Sequence, residues 1–222
     1  MSDQHEFQGL NFKNYLSNLG SCWDGFTTLD LIKEFIDNSL DSKSTYIKLN
    51  AKNRYIHYID NGNGMNKKNL FRLAEFYSTN NEALGNGKFG IGGNKAQVAL
   101  SDLHDTWYNK QIKIITKTSN GDVHSITINW DKCNTLENYI EQIKTSYKFK
   151  DVEDNKVFDK QISSISGTYI KIHTSDQRVQ ELSKWSTNLS ILINLSITYE
   201  EYINRGLDII IGNKKLIVLT KS

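Results

Sequence analysis

Two strand–turn–strand patterns constrain this chain more than any other feature. Residues 45–50 and 54–60 alternate polar and apolar side chains, as Tyr-Ile-Lys-Leu and Tyr-Ile-His-Tyr-Ile, with only Ala51-Lys52-Asn53 between them. Residues 111–117 and 122–130 repeat the arrangement across Asn120-Gly121. Period-two alternation on both sides of so short a connection predicts antiparallel hairpins, because parallel neighbours need a crossover of a dozen residues or more. A further strand is expected at 167–173. A last hairpin, 207–211 with 216–219, turns at Gly212-Asn213. Helix-type spacing covers 29–41, 66–77, 96–103, 136–147 and 177–195, with 199–204 continuing the last, while 148–160 reads as a charged loop. The helices come in blocks between hairpins and not in β-α alternation. The expected fold class is therefore α+β: a two-layer sandwich of one mostly antiparallel mixed sheet with helices on one face.

Composition enters mainly to exclude. The chain has 222 residues, 38% hydrophobic and 23% charged, enough for one sizeable core. Its formal net charge of +2 is no global footprint for nucleic acid, which stays compatible through local patches only. Cys22 and Cys133 match neither a metal nor a disulfide spacing and are read as reduced thiols. The polar, acidic start Met-Ser-Asp-Gln-His-Glu is no signal peptide, and no apolar run reaches the length of a membrane span, so an intracellular, cytoplasmic or nuclear protein without membrane association is expected. Proline is absent where average usage gives roughly ten, and the Lys, Asn and Ile richness points to codon bias more than to chemistry. Residues 1–27 read as an N-terminal arm with apolar anchors Phe12, Tyr15, Leu16 and Trp23, 28–205 as the main domain, and 206–222 as a C-terminal hairpin where a further region could begin.

Three short stretches carry chemistry. In the helix at 29–41, Leu29, Ile32, Ile36 and Leu40 recur three and four apart, widened by Leu31 and Phe35, with Thr27 or Thr28 as N-cap. Glu34, Asn38 and Asp41 share the opposite side with Asp30 and Asp37 nearby, a face that is either simply solvated or catalytic. Asp60-x-Gly62-x-Gly64-Met65 leaves a strand; its aspartate can accept from an exocyclic amine and its glycines let a ligand approach the backbone, although an ordinary Asp-Gly turn reads the same. Gly87-Lys88-Phe89-Gly90-Ile91-Gly92-Gly93 puts four glycines in seven residues ahead of a helix, followed by Asn94 and Lys95. Successive N–H groups beside a helix N-terminus suit phosphate. The stretch is neither a Walker phosphate loop nor a Rossmann fingerprint. Gly167-Thr168, opening a strand, is weak alone.

Taken in order, Glu-x3-Asn on a helix, Asp-x-Gly-x-Gly after a strand, a glycine lid before a helix and Gly-Thr opening a strand resemble the GHKL, or Bergerat-fold, ATPases. These include DNA gyrase B, MutL, the ninety-kilodalton heat-shock chaperone, the ATPase component of topoisomerase VI and the MORC proteins. The resemblance runs from Leu29 to His173 and is closest in feel to the MORC-like and topoisomerase-like branch. It implies that Glu34 positions or deprotonates the attacking water, Asn38 ligates Mg²⁺ and Asp60 holds the adenine amine with Thr168 in support. It further implies that Gly62, Gly64 and Met65 shape the base pocket and that Gly87, Lys88, Phe89, Gly90, Ile91, Gly92 and Gly93 close over the phosphates. Asp41, Asn94 and Lys95 take supporting places, and either Lys88 or Lys95 reaches the γ-phosphate, whereas Lys214 and Lys215 read as solvated hairpin charges. The implied activity is Mg²⁺-dependent ATP hydrolysis driving ATP-gated homodimerisation or conformational change, in the ATPase module of a larger, DNA-associated machine with further subunits or C-terminal domains. In such machines the arm crosses to a second protomer; packing of the arm on its own domain is the alternative. A histidine-kinase-type catalytic domain, or a nucleotide-binding module without hydrolysis, is the rival. Glu34 four residues before Asn38 favours water activation, and His5, in a polar tail, is no phosphoacceptor.

Overall fold

The computed structural model of the chain describes residues 27–74, 92–102 and 110–218. The described strands form one sheet in the order β5-β4-β3-β6-β2-β1-β7-β8. They are β1 (Tyr46–Lys52), β2 (Tyr55–Asp60), β3 (Gln111–Lys117), β4 (Val123–Asn129), β5 (Lys148–Phe149), β6 (Gly167–His173), β7 (Asp208–Ile211) and β8 (Lys214–Lys215). Every adjacent pair is antiparallel except β1 and β7, which run parallel from Tyr46 opposite Asp208 to Leu49 opposite Ile211. The architecture is α+β with a mixed, mostly antiparallel sheet, as expected. The β1–β2 connection is tighter than expected: Asn53 and Arg54 both take positive φ, 53° and 63°, the two left-handed residues of a type I′ hairpin, so β1 extends through Lys52.

One face of the sheet carries the main core. Ile47, Leu49, Ile56, Tyr58, Ile112, Ile114, Ile126, Ile128, Ile170 and Ile172 alternate inward along five strands and meet the helical layer. That layer includes α1 (Thr28–Asp41), α2 (Lys67–Ala74), α3 (Gly92–Leu100) and α4 (Leu136–Ser146). In α1 the apolar stripe Leu31, Ile32, Phe35 and Ile36 is at most 3% exposed, and burying each such side chain is worth roughly 1.5–3 kcal/mol. Thr27 caps the helix reciprocally. Its hydroxyl accepts from the Asp30 N–H at 3.3 Å, and its own N–H donates to Asp30 Oδ2 at 2.8 Å.

Three stretches depart from the sequence reading. The last hairpin pairs β7 with β8 at Lys214–Lys215, ahead of the expected 216–219. Residues 148–160, expected as a loop, hold β5 and a helix, α5 (Val152–Gln161), N-capped by Asp151. This helix packs on the reverse face of the sheet, where Phe158 and Ile162 join Ile59, Ile115, Val123 and Tyr169 in a second, smaller core. Its buried Asp154 accepts from Ser125 Oγ at 2.5 Å and pairs with Lys113. The single helix expected at 177–195 is broken: α6 (Asp176–Ser183) and α7 (Leu189–Thr198) flank a 3-10 turn at Trp185–Thr187, and Asn188 caps α7 anew. A short α8 (Glu200–Asn204) leads to β7.

A polar cluster fixes the end of α3. Thr174 Oγ1 donates to the Leu100 carbonyl at 2.6 Å, and Asp102 accepts from Ser175 Oγ at 2.5 Å and Arg178 Nη2 at 2.6 Å. Burial pushes the Asp102 carboxyl up, but Arg178 and Ser175 together hold it below the usual carboxylate range. Arg178 also donates to Thr28, so the start of α1 and the end of α3 share one guanidinium.

Candidate functional site

Three strand termini meet in register beneath α1. Asp60 ends β2 opposite Thr168 at the start of β6, and Thr168 in turn stands opposite Thr116 on β3. All three are buried and, being in register on neighbouring strands, share the face covered by the helices. The Asp60 carboxylate accepts from the Gly62 N–H at 2.8 Å and from Ser44 Oγ at 3.2 Å. Burial pushes its pKa up to about 6, against the hydrogen bonds from Gly62, Ser44 and Ser39. An aspartate kept there costs stability, which marks it as more than a turn-former.

The turn after Asp60 is held on both sides. Gly62 lies against Ser42 and Ser44, and a Cβ would collide with both hydroxyls. Gly64 has φ +63, and a Cβ there would strike the Lys117 carbonyl. Gly167, at φ +150, lies against the Asp60 carbonyl in the same way. The Asn63 N–H donates to the Ser42 carbonyl at 2.8 Å, tying the turn to the residues just past α1. The Met65 N–H donates to Thr116 Oγ1 at 2.8 Å. Thr116 Oγ1 in turn donates to the Gly167 carbonyl at 2.9 Å and lies 3.1 Å from Thr168 Oγ1. One buried hydroxyl thus joins the Asp-Gly-Gly turn to the Gly-Thr strand start.

The helix above is anchored by Tyr58, which sits two residues before Asp60 on the same face. Its hydroxyl donates to the Phe35 carbonyl at 2.9 Å and lies 2.8 Å from Ser39 Oγ. The C-terminal half of α1 is thereby held over the end of β2, with Glu34 and Asn38 half-buried one turn apart and Asp41 exposed at the last turn. Asp37 is engaged elsewhere: it accepts from the Tyr199 hydroxyl at 2.9 Å, and burial, with Asp41 nearby, raises its pKa. Helix α3 packs against α1. Gly92, Gly93, Asn94 and Lys95 form its first turn, so the helix begins four residues before the expected Ala96. Gly87, Lys88, Phe89, Gly90 and Ile91, with the N-terminal arm of residues 1–26, lie outside the described residues.

Of the expected site residues, Asp60, Gly62, Gly64, Met65 and Thr168 meet at this end of the sheet, and Glu34 and Asn38 lie on the helix held over it. Thr116, Ser39, Ser44 and Tyr58 were not foreseen. Thr116 was discoverable only by extending the two hairpins into one register, and the serines read as ordinary small residues around a helix end.

A helix with a polar edge laid over a buried Asp-x-Gly-x-Gly turn, at one end of a mostly antiparallel sheet, is the layout of a GHKL-type ATP-binding domain. The family model for the histidine kinase-, DNA gyrase B-, and HSP90-like ATPases matches residues 27–168, and the chain belongs to that family. The match opens on the N-cap of α1 and closes on Thr168, so it spans the site from end to end. No curated protein matches the chain.

Proposed function

We propose that this chain binds ATP with Mg²⁺ and hydrolyses it, and that the nucleotide state gates dimerisation or a conformational change in a larger, DNA-associated machine of the MORC-like or topoisomerase-like kind. The observation that carries the reading is the buried Asp60, raised toward neutrality and set in register with Thr168 and Thr116 beneath a helix bearing Glu34 and Asn38. In this reading Asp60 accepts the adenine amine, with Thr168 and Thr116 holding the turn at the distance the base needs. Gly62 and Gly64 leave no side chain between the ligand and the backbone, and Met65 forms an apolar wall.

Glu34 and Asn38 divide the phosphate chemistry. Glu34 orients a water and takes its proton as the water attacks the γ-phosphorus; the bond to the β–γ bridging oxygen breaks and ADP leaves. The donor set suits Mg²⁺: Asn38 presents one hard amide oxygen, and this ion takes most of its remaining ligands from phosphates and water. When bound, the ion offsets the charge on the phosphates. The amides of the first turn of α3, with Lys95 and, in the preceding lid, Lys88, close over the phosphates. Asp41 and Asn94 support the site from its edge.

Phosphate release measured with and without Mg²⁺, alongside autophosphorylation, tests this reading. Wild-type protein releases phosphate only with Mg²⁺, and Glu34→Ala retains ATP binding while losing turnover by roughly 10²–10⁴-fold, the usual worth of a positioned base. Turnover that survives in Glu34→Ala removes Glu34 from its role. Label transferred to the protein instead of to water supports a kinase.

A further inference from the structure

The face of the sheet turned away from the main helical layer is only half covered. Helix α5 closes it over β3, β4 and the Ile59–Tyr169 end of β2 and β6, where Asp154 engages Lys113, Phe158 lies beneath Lys117 and Tyr169 is buried. Over β1, β2 and β6 the outward side chains are a mixture of aromatic rings and lysines. By strand alternation Tyr55 and His57 of β2, Tyr169, Lys171 and His173 of β6, and Lys48 and Lys52 of β1 all point this way. The rings touch across strands: Tyr55 and His173 centroids are 4.9 Å apart, and His57 stacks on Tyr169 at 6.0 Å with an angle of 12°. The Tyr169 hydroxyl and His57 Nδ1 are 2.7 Å apart.

Among the described residues, the lysines beside these rings lack carboxylate partners. Lys171 stands directly opposite Lys113 in register, an arrangement that costs energy in a sheet. Asp154 answers Lys113, but among the described residues no carboxylate pairs with Lys171, Lys48 or Lys52. Lys171 instead lies over the Tyr55 ring at 4.0 Å. At the edge of the platform an open depression of about 520 Å³ is lined by Arg54, Tyr55, Gln111, Asn129, Asp131, Lys132 and His173. Arg54 reaches Asp176 at 3.7 Å, an exposed pair of little worth, so its guanidinium stays available.

We propose that this lysine-flanked aromatic platform, with the Arg54–Lys132 depression at its edge, is a binding surface for a single nucleic-acid strand. The half-exposed rings of Tyr55, His57 and His173 offer stacking to any base once Lys171 swings off the Tyr55 ring, while Lys48, Lys52 and Lys171 track the phosphates, the combination that single-strand binding requires. A rigid duplex keeps its bases stacked inside and can use the cations only. The platform lies on the reverse face from Asp60 and Thr168, and its depression at the opposite strand ends, so it does not depend on the ATPase reading.

Fluorescence anisotropy with a labelled fifteen-residue oligothymidylate tests the proposal on the full chain in about 50 mM salt, where non-specific affinities of about 10⁻⁴–10⁻⁶ M are measurable. The oligonucleotide binds, and the Lys52→Glu/Lys171→Glu double variant weakens it at least roughly tenfold with a shallower dependence on salt. Tyr55→Ala, which leaves every charge in place, weakens it roughly five- to a hundredfold through lost stacking. Both variants keep the wild-type circular dichroism and a cooperative thermal melt, which shows them folded. Four results overturn the proposal: no binding of the oligonucleotide, unchanged binding by either variant, a duplex of the same length bound as tightly, or competition by polyglutamate as effective as by unlabelled oligonucleotide.

Discussion

Replacing Asp60 by asparagine separates what this residue costs the fold from what it contributes to the ligand. The ionised carboxylate is buried, and its pKa rises from the ordinary 3.8 to about 6. Below pH 3.8 the group is protonated in the folded and unfolded chains alike and carries no penalty. Between 3.8 and 6 the folded state holds the proton more tightly, so stability falls as pH rises, and above 6 the full penalty stands. At 1.36 kcal/mol for each tenfold in proton affinity, that penalty is about 3 kcal/mol. The asparagine amide keeps an acceptor for the Gly62 N–H and Ser44, though a neutral one, which returns part of the gain. The ligand-free Asp60→Asn protein is therefore more stable than wild type by about 1–2 kcal/mol at pH 8, near 3–6 °C in melting temperature for a chain of this size. The advantage disappears toward pH 4. The same substitution replaces a carboxylate oxygen by an amide N–H₂ facing the adenine amine, and nucleotide affinity falls about tenfold or more. Urea melts from pH 4 to 8, with calorimetric titration of ATP, check both halves. A variant less stable than wild type at pH 8, or a difference that does not change with pH, refutes the reasoning.

Gly64→Ala combines positive φ with a collision against the Lys117 carbonyl and lowers stability by more than about 3 kcal/mol. Gly206→Ala, at φ +100 with open space around it, suffers the backbone term alone, and thermal melts of the two distinguish the causes. Thr116→Val preserves shape but strands the half-buried Met65 N–H, costing about 1 kcal/mol and weakening nucleotide binding in the same titration. His57, held down to about 4 by burial and by Lys171 and Lys52, keeps its imidazole proton resonances unchanged from pH 7.5 to 5.5. A midpoint near 6.5 in an NMR titration contradicts the geometry of the sheet face.

How far the sequence could be read depended on the range of the interaction. The β1–β2 and β3–β4 hairpins were legible because alternation and turn residues are local, and Asp60, Gly62 and Gly64 stood out because a turn with two glycines is local too. Helix α5 was not legible. Its core contacts rest on Phe158 and Ile162 within a charged stretch, and only the cap Asp151 announced it. The break between α6 and α7 was hidden by continuous helix-type spacing across Lys184–Asn188, with Asn188 as its one local sign. Within the site, Glu34 and Asn38 could be chosen from the acidic face of α1 only through the family resemblance, since Asp37 is equally polar. The structure accounts for Asp37 by its bond to Tyr199, a residue far along the chain. Thr116 belongs to the site through β3–β6–β2 register, which no local pattern encodes. The aromatic platform escaped for the same reason, because its residues come from three strands and are assembled by pairing.

Hydrogen exchange with and without a non-hydrolysable ATP analogue and Mg²⁺ tests the location of the nucleotide site most directly. The account predicts that the analogue slows exchange together at residues 60–65, at 116–118 and at 167–168, the three segments joined through Asp60 and Thr116. Protection confined to other segments, or no protection at saturating analogue, contradicts it.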